Sequence, residues 1–244
     1  MLQLRKRGDK YYYPLLLHPV SRVMKFEKFF EYFSGLPAGG TVVDYGSGDR
    51  PYEDMLLGKF DRYIAADYEA ANAAHARRPD VLIEGNRLDL PDASVKAVVL
   101  TEVMEHLYEP KVVLSEINRI LEPGGILIGT VPFAINEHEQ PFDFHRYTFF
   151  CLQAMFDEAG FEVQQIEYVG DNVGVAILSM TRVAGVVPKA LHKLRMAPLA
   201  VAIHAVVRIP ELIYYWLVKV GLDPNKSAYY RSYPFGFAFM VTKN

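Results

Sequence analysis

The stretch Thr41-Val42-Val43-Asp44-Tyr45-Gly46-Ser47-Gly48 constrains this chain more than any other. A short apolar β-run ends in an acid, and a loop with two glycines one residue apart follows at once. A second β-run, Arg62-Tyr63-Ile64-Ala65-Ala66-Asp67, ends in another acid. That acid falls about twenty residues beyond the glycines, the spacing at which a carboxylate on a second strand reaches a ribose. The layout is that of a nucleotide-type cofactor site: strand, glycine loop, helix, strand. Glycine suits the loop because a bare backbone lets a ligand approach closely.

The rest of the chain continues the alternation. Residues 20–33 have the spacing of an amphipathic helix, closed by Gly35, Pro37 and Gly39-Gly40. A short helix begins near Pro51, and an Ala-rich helix is expected over 69–77. Val81–Ile83 is a candidate third strand. The nearly continuous apolar run Val95–Thr101 suits a buried parallel strand. A helix over 110–121 stops at Pro123-Gly124-Gly125, and a fifth strand covers 126–131. A long polar loop, 132–146, leads to a helix over 147–159 and a sixth strand, Phe161–Val169. This β/α order predicts an α/β fold, a parallel sheet with helices on both faces.

Composition narrows the function classes. The 244 residues, 51% hydrophobic, supply the core of one sizeable domain. A net charge of −3 gives no overall sign of nucleic-acid binding. Cys151 is the one cysteine, so no intrachain disulfide forms, and a reducing, cytoplasmic setting is expected. The bases Arg5, Lys6, Arg7 and Lys10 have no apolar leader run after them, so no secretory signal is expected. They read as a solvated, frayed terminus or as a weak contact with an anionic surface.

With these elements placed, the chain resembles the class I S-adenosylmethionine-dependent methyltransferases, over residues 41–169 and the last strand. Four blocks carry the resemblance: the D-x-G-x-G loop at Asp44-Tyr45-Gly46-Ser47-Gly48; Asp67 closing the second strand; Asn86-Arg87-Leu88-Asp89-Leu90-Pro91 with the following strand and Glu102-Val103-Met104-Glu105-His106-Leu107; and residues 117–125. The resemblance implies a Rossmann-like, seven-stranded sheet with an antiparallel last strand, for which residues 235–241 are the candidate. It also implies S-adenosyl-L-methionine as cofactor. Asp67 is then placed on both ribose hydroxyls, Gly46 and Gly48 against the ligand backbone, and Asp44 near the methionine ammonium. Leu88 and Asp89 fall beside adenine, and Glu102 at the mouth of the crevice. Each acid has a structural alternative: Asp44 bonding loop amides, Asp89 in a turn, Glu102 capping the next helix. His106 reads as packing beneath the site. A dinucleotide fingerprint wants a third Gly or Ala at position 51, where this chain has Pro51.

The loop after the fifth strand is where acceptor residues belong. It contains His138, Pro141, Asp143, Phe144, Arg146, Tyr147 and Thr148, similar to an H-x-x-P-x-D-[FY]-x-R-[FY]-T run of methyltransferases from glycan and lipid-linked sugar pathways. Methyl transfer to oxygen is helped by alignment and by a general base. His138 is the first candidate base and His145 the second, because imidazole titrates near neutral pH. Asp143 and Arg146 read as an ion pair pinning the loop, and Thr148 as a helix N-cap. His138, Asp143 and His145 together have the chemistry of metal ligands, but two histidines and an acid on one loop arise easily by chance, and no metal is expected. Tyr11, Tyr12, Tyr13 and Tyr52 read as packing or as pocket lining.

Residues 1–244 are expected to form a single methyltransferase domain, with an N-terminal helical segment (1–40) and a helical insertion (173–233) before the last strand. The insertion is apolar yet interrupted by Pro198, Arg208, Pro210, Glu211 and Lys219, which argues against a membrane span. A cap over the acceptor pocket, an interfacial helix pair giving peripheral membrane contact, and a homodimer face are the readings left. The expected function is O-methylation of a small-molecule, sugar or lipid-linked acceptor. N- or C-methylation of a quinone-like ring, or a non-catalytic S-adenosylmethionine-binding relative, are the alternatives.

Overall fold

Alternation of side chains across Thr41–Tyr45 sets the architecture: Val42 faces one helical layer and Val43 and Tyr45 the other, all fully buried. The structure is a computed structural model that describes residues 4–7, 10–15, 17–69, 76–186, 196–221 and 232–244. In chain order the elements are β1 (Arg5–Arg7), β2 (Lys10–Tyr12), α1 (Val20–Gly35), β3 (Thr41–Tyr45), α2 (Glu53–Leu57), β4 (Arg62–Tyr68), β5 (Val81–Ile83) and β6 (Val95–Thr101). A 3-10 turn (Met104–His106) precedes α3 (Pro110–Ile120), β7 (Leu121–Pro132), α4 (Phe149–Glu158) and β8 (Phe161–Val169). Then come α5 (Asn172–Ala184), α6 (Ala197–Val207), α7 (Ile209–Lys219) and β9 (Gly236–Lys243).

Seven strands form one sheet in the order β5-β4-β3-β6-β7-β9-β8. The first five are parallel; β9 runs antiparallel between β7 and β8. The expected reversed last strand is therefore present and sits inside the sheet rather than at its edge. From β3 the chain moves outward through β4 to β5, then returns to β6 and moves the other way. The switch between β3 and β6 opens a crevice at the carboxyl ends of the strands.

Helix α1 buries Val23, Phe26, Phe29 and Phe33, at the three- and four-residue spacing of one helix face. It packs with Val42, Val99, Ile128 and Ala238 on one side of the sheet. On the other side α3 and α4 cover Val43, Val98, Leu127 and Phe239. Thr148 caps α4, its hydroxyl accepting from the Cys151 amide at 3.3 Å, as the sequence predicts.

Several boundaries differ from expectation. Residues 5–7 and 10–12 pair as an antiparallel hairpin instead of fraying. Strand β7 begins at Leu121, five residues before the expected strand at Ile126. Its pairing to β6 jumps from Val95–Leu121 to Ala97–Ile126, so Pro123-Gly124-Gly125 bulges from the strand rather than ending a helix. The helix expected over 69–77 lies largely outside the described residues, as does most of the polar stretch 222–233.

The insertion is tied to the body by buried polar contacts. Asp171 caps α5 through the Gly174 amide (2.8 Å) and accepts the Tyr214 hydroxyl (2.7 Å). Glu211 accepts the Thr181 hydroxyl (2.6 Å) and the Val20 amide (3.3 Å). Arg208 donates to the carbonyls of Leu15 (3.0 Å) and His18 (2.6 Å). Pro198–Lys219 is long and apolar enough to cross a membrane. Its charges are already spent on the protein, however, and a bilayer would strip them of these partners.

Candidate active site

The first of the two loop glycines is fixed by packing. Gly46 has φ +75°, and a Cβ there would stand 2.4 Å from Val103 Cγ2. Its amide and that of Ser47 donate to the Ala66 carbonyl (2.8 and 3.1 Å), pinning the loop to the end of β4. Gly48, at φ +49°, donates its amide to Asp67 Oδ2 at 2.8 Å. The other oxygen of Asp67 accepts the Tyr68 amide, also at 2.8 Å. Each carboxylate oxygen keeps a further lone pair for a ligand.

The loop edges a cavity of about 350 Å³ at the switch point, lined by Asp44, Gly46, Gly48, Tyr52 and Glu102 among others. Asp44 lies at its floor, 2% exposed, and accepts the Tyr63 hydroxyl at 2.9 Å. Burial pushes its carboxyl up to about 7, against the lowering effect of that hydrogen bond. Burial also raises the hydroxyls of Tyr13 and Tyr52, which leaves them neutral donors along the wall. Glu102 follows β6 directly with φ +55°, a costly backbone for a residue with a side chain. Its Oε1 accepts the Thr130 hydroxyl at 2.9 Å, its amide donates to the Thr130 carbonyl at 2.8 Å, and its Oε2 pairs with Lys25. The structure does not use Glu102 as a helix cap.

Of the expected cofactor residues, Asp44, Gly46, Gly48 and Glu102 meet around this one cavity, and Asp67 joins through Gly48. Leu88 and Asp89 do not line it. Leu88 is buried, its amide donating to Glu116 Oε1 at 2.8 Å, and Asp89 is exposed beside it. Lys25 is missed by the sequence reading. It lies on the buried face of α1, 7% exposed, and a lysine among Val23, Phe26 and Phe29 is the signal that a partner awaits it.

The acceptor-side histidines do not line this cavity either. His138 is half-buried, its amide donating to Asp143 Oδ2 at 2.9 Å and its Nδ1 lying 3.2 Å from the same oxygen. Arg146 grips Asp143 with two bonds of 2.6 and 2.7 Å and holds its carboxyl well below the usual carboxylate range. The expected Asp143–Arg146 pair is present. His145 packs its ring between Phe144 and Tyr147, with Nε2 buried. A second acid near His138, Glu105, is fully buried. Its Oε1 lies 3.9 Å from His138 Nε2 and 3.7 Å from His106 Nε2. Burial, reinforced by the charge of Glu102, raises its carboxyl well above the ordinary value. His106 therefore faces this cluster rather than simply packing beneath the site.

A larger cavity, about 760 Å³, lies between α1, β8 and α7. Its polar groups already satisfy one another: Lys28 with Glu31 and Glu167, Lys219 with Glu27, Tyr215 with Glu27. It shares no lining residue with the glycine-loop cavity and offers no converging unpaired groups among the described residues. Of the described insertion residues, Tyr214, Tyr215, Val218 and Lys219 line this cavity, and none lines the crevice at the loop.

A methyltransferase-domain family profile matches residues 18–166, more than half of the chain. A Mycolicibacterium smegmatis protein named as a probable S-adenosylmethionine-dependent methyltransferase is 36% identical over 152 residues, 58% of this chain and 59% of that protein. The chain thus spans less than two thirds of the length of the curated relatives it matches. Among solved structures, an S-adenosylmethionine-dependent methyltransferase from Mesorhizobium loti superposes with TM-score 0.55 at 12% identity, over 92% of this chain and all of that one. The [4+2]-cyclase SpnF superposes with TM-score 0.54 at 18% identity, over 91% and 81%. At these identities the two structures show the fold alone.

Proposed function

This chain belongs to the methyltransferase-domain family, and from that premise we propose that it transfers a methyl group from S-adenosylmethionine to a hydroxyl of a small, sugar or lipid-linked acceptor. The observation that carries the proposal is the crevice at the β3/β6 switch, where Asp44, the Gly46–Gly48 loop and Glu102 converge. In this reading Asp44 neutralises the methionine ammonium. The loop backbone lies against the amino-acid tail, and the free lone pairs of Asp67 receive the ribose hydroxyls. Leu88 and Asp89 lie outside this cavity, and only the family resemblance puts them beside adenine. Glu102, fixed by Thr130 and Lys25, stands at the mouth of the crevice.

The reaction is an in-line displacement. An acceptor oxygen bonds to the methyl carbon as the carbon–sulfur bond breaks, and S-adenosylhomocysteine leaves with the sulfur electron pair. Alignment and exclusion of water supply most of the rate. The acceptor proton goes to a base, and geometry favours His138 over His145. Nδ1 of His138 lies 3.3 Å from the Asn136 carbonyl, which can only accept, and beside Asp143, so the proton sits on Nδ1 and the Nε2 lone pair is open. Nε2 of His145 is buried away from solvent. Apolar side chains exposed on α6 and α7, among them Val201, Val206, Ile213 and Trp216, lie outside the crevice and support a lipid-linked acceptor only as a resting surface for its apolar tail.

The test is a labelled-methyl assay. The protein, labelled S-adenosylmethionine and a panel of phenols, sugars and polyprenyl-linked sugars are incubated, and products are read by mass. A product one methylene heavier, with the label stable on oxygen, supports the reading. Label on nitrogen or carbon overturns the hydroxyl assignment, and S-adenosylmethionine binding without transfer to any acceptor overturns the enzymatic one.

A further inference from the structure

We propose that Glu105, His106 and His138 form a binding site for a divalent first-row transition-metal ion. One ligand atom from each residue lies within 4.8 Å of the others. They come from the 3-10 turn after β6 and from the loop after β7, beside the proposed acceptor side of the crevice. The set differs from the loop residues His138, Asp143 and His145 that the sequence brings to mind.

Three potential ligand atoms converge here, two imidazole nitrogens and a carboxyl oxygen. His106 Nδ1 lies 2.8 Å from the Phe142 carbonyl. A carbonyl only accepts, so the proton sits on Nδ1 and Nε2 carries a lone pair. His138 Nδ1 faces Asp143 Oδ2 at 3.2 Å, so its Nε2 is likewise a lone pair. Both lone pairs look onto Glu105 Oε1, at 3.7 and 3.9 Å, too far for a hydrogen bond. Glu105 has 0% exposure, and neither of its oxygens has a hydrogen-bond donor on another described residue. A buried carboxyl without a donor partner disfavours its charged form. A cation between the three atoms would take the place of its proton and supply the partner it lacks.

The donor set selects the ion. Two imidazoles and one carboxylate suit zinc, manganese, iron or cobalt and not magnesium, which prefers oxygen alone. Metal–ligand bonds of about 2.0–2.2 Å place ligand atoms roughly 3.0–3.5 Å apart, so the cluster closes by about an ångström on binding. The outer contacts are those of a built site: a backbone carbonyl orients one histidine, and a carboxylate locked by Arg146 orients the other. Three protein ligands leave positions for water or an acceptor oxygen, and Glu139 stands at the open side, 3.8 Å from His106 Nε2. An ion on His138 Nε2 takes the lone pair otherwise assigned to the acceptor proton. In the loaded protein His138 would hold the ion instead of acting as base, and the ion's charge would lower the pKa of an acceptor hydroxyl so that its proton passes to solvent.

The test reads binding rather than turnover, so it stands apart from the proposed reaction. Tag-free full-length protein is stripped with chelator, then titrated with Co²⁺ by visible absorption and with Zn²⁺ by calorimetry. One equivalent of each, with cobalt d–d bands, is expected. Glu105→Gln and His138→Ala, each checked for native circular dichroism, should lose the bands and weaken binding more than about tenfold. Asp143→Asn should weaken it by about 10–100-fold. No stoichiometric binding in the wild type overturns the site. So does equal binding in both ligand variants, which would mark an adventitious ion on surface histidines.

Discussion

Asp67 and Gly48 are joined by a 2.8 Å hydrogen bond from the glycine amide to the carboxylate, so the acid that closes β4 also shapes the loop that follows β3. One residue therefore links two parts of the cofactor crevice. Asp67→Ala should lose both the loop clamp and the ribose contacts. Charge-assisted hydrogen bonds contribute about 1.5–3 kcal/mol each, so affinity for S-adenosylhomocysteine should fall at least about tenfold by calorimetry. Unchanged affinity would remove Asp67 from the site.

Asp44 makes binding depend on pH. In the free protein its carboxyl is pushed up to about 7 by burial. A cationic ammonium favours the ionised form, so below pH 7 binding must first expel a proton. Affinity should be highest above pH 7 and should fall by up to about tenfold per pH unit beneath it. Calorimetry from pH 5.5 to 8.5 reads this, and Asp44→Asn should bind weakly with a flat profile. A wild-type profile without slope would contradict the role.

Lys25 and Glu102 join α1 to the crevice. Lys25→Met leaves Glu102 without its cation in a half-buried site and should cost about 1–3 kcal/mol by urea denaturation. Adding Glu102→Gln should restore most of that loss, a coupling that a double-mutant cycle measures. Additive effects would mean the pair carries no energy of its own.

His138 should matter for turnover and not for cofactor affinity. His138→Ala should slow methyl transfer by about 100- to 10,000-fold while S-adenosylhomocysteine binds as before. His145→Ala should change the rate far less, because its Nε2 is buried. The reverse ranking would move the base to His145.

What the sequence reveals and what it hides follow from contact range. The β3 strand, the glycine loop and β4 are legible because period, punctuation and spacing are local, and the same holds for Thr148 capping α4. The bulge at Pro123-Gly124-Gly125 reads as a helix stop because the strand pairing that carries it across lies on β6. Lys25 meets Glu102 across 77 positions of sequence, and no local pattern announces that distance. His138 is picked out by its loop, but its neighbours Glu105 and His106 come from the turn after another strand. The apolar character of the insertion is visible; its attachment through Glu211 and Asp171 to α5, α7 and the start of α1 depends on the fold.

The most direct measurement is calorimetric titration of the wild-type protein at pH 8 with S-adenosylmethionine, S-adenosylhomocysteine and, as the rival ligand of a glycine-loop site, NAD. The account predicts one equivalent of each of the first two and no heat from NAD, with the heat weakened in Asp44→Asn and Asp67→Ala. Absence of binding by S-adenosylmethionine and S-adenosylhomocysteine, or saturable binding of NAD, would contradict it.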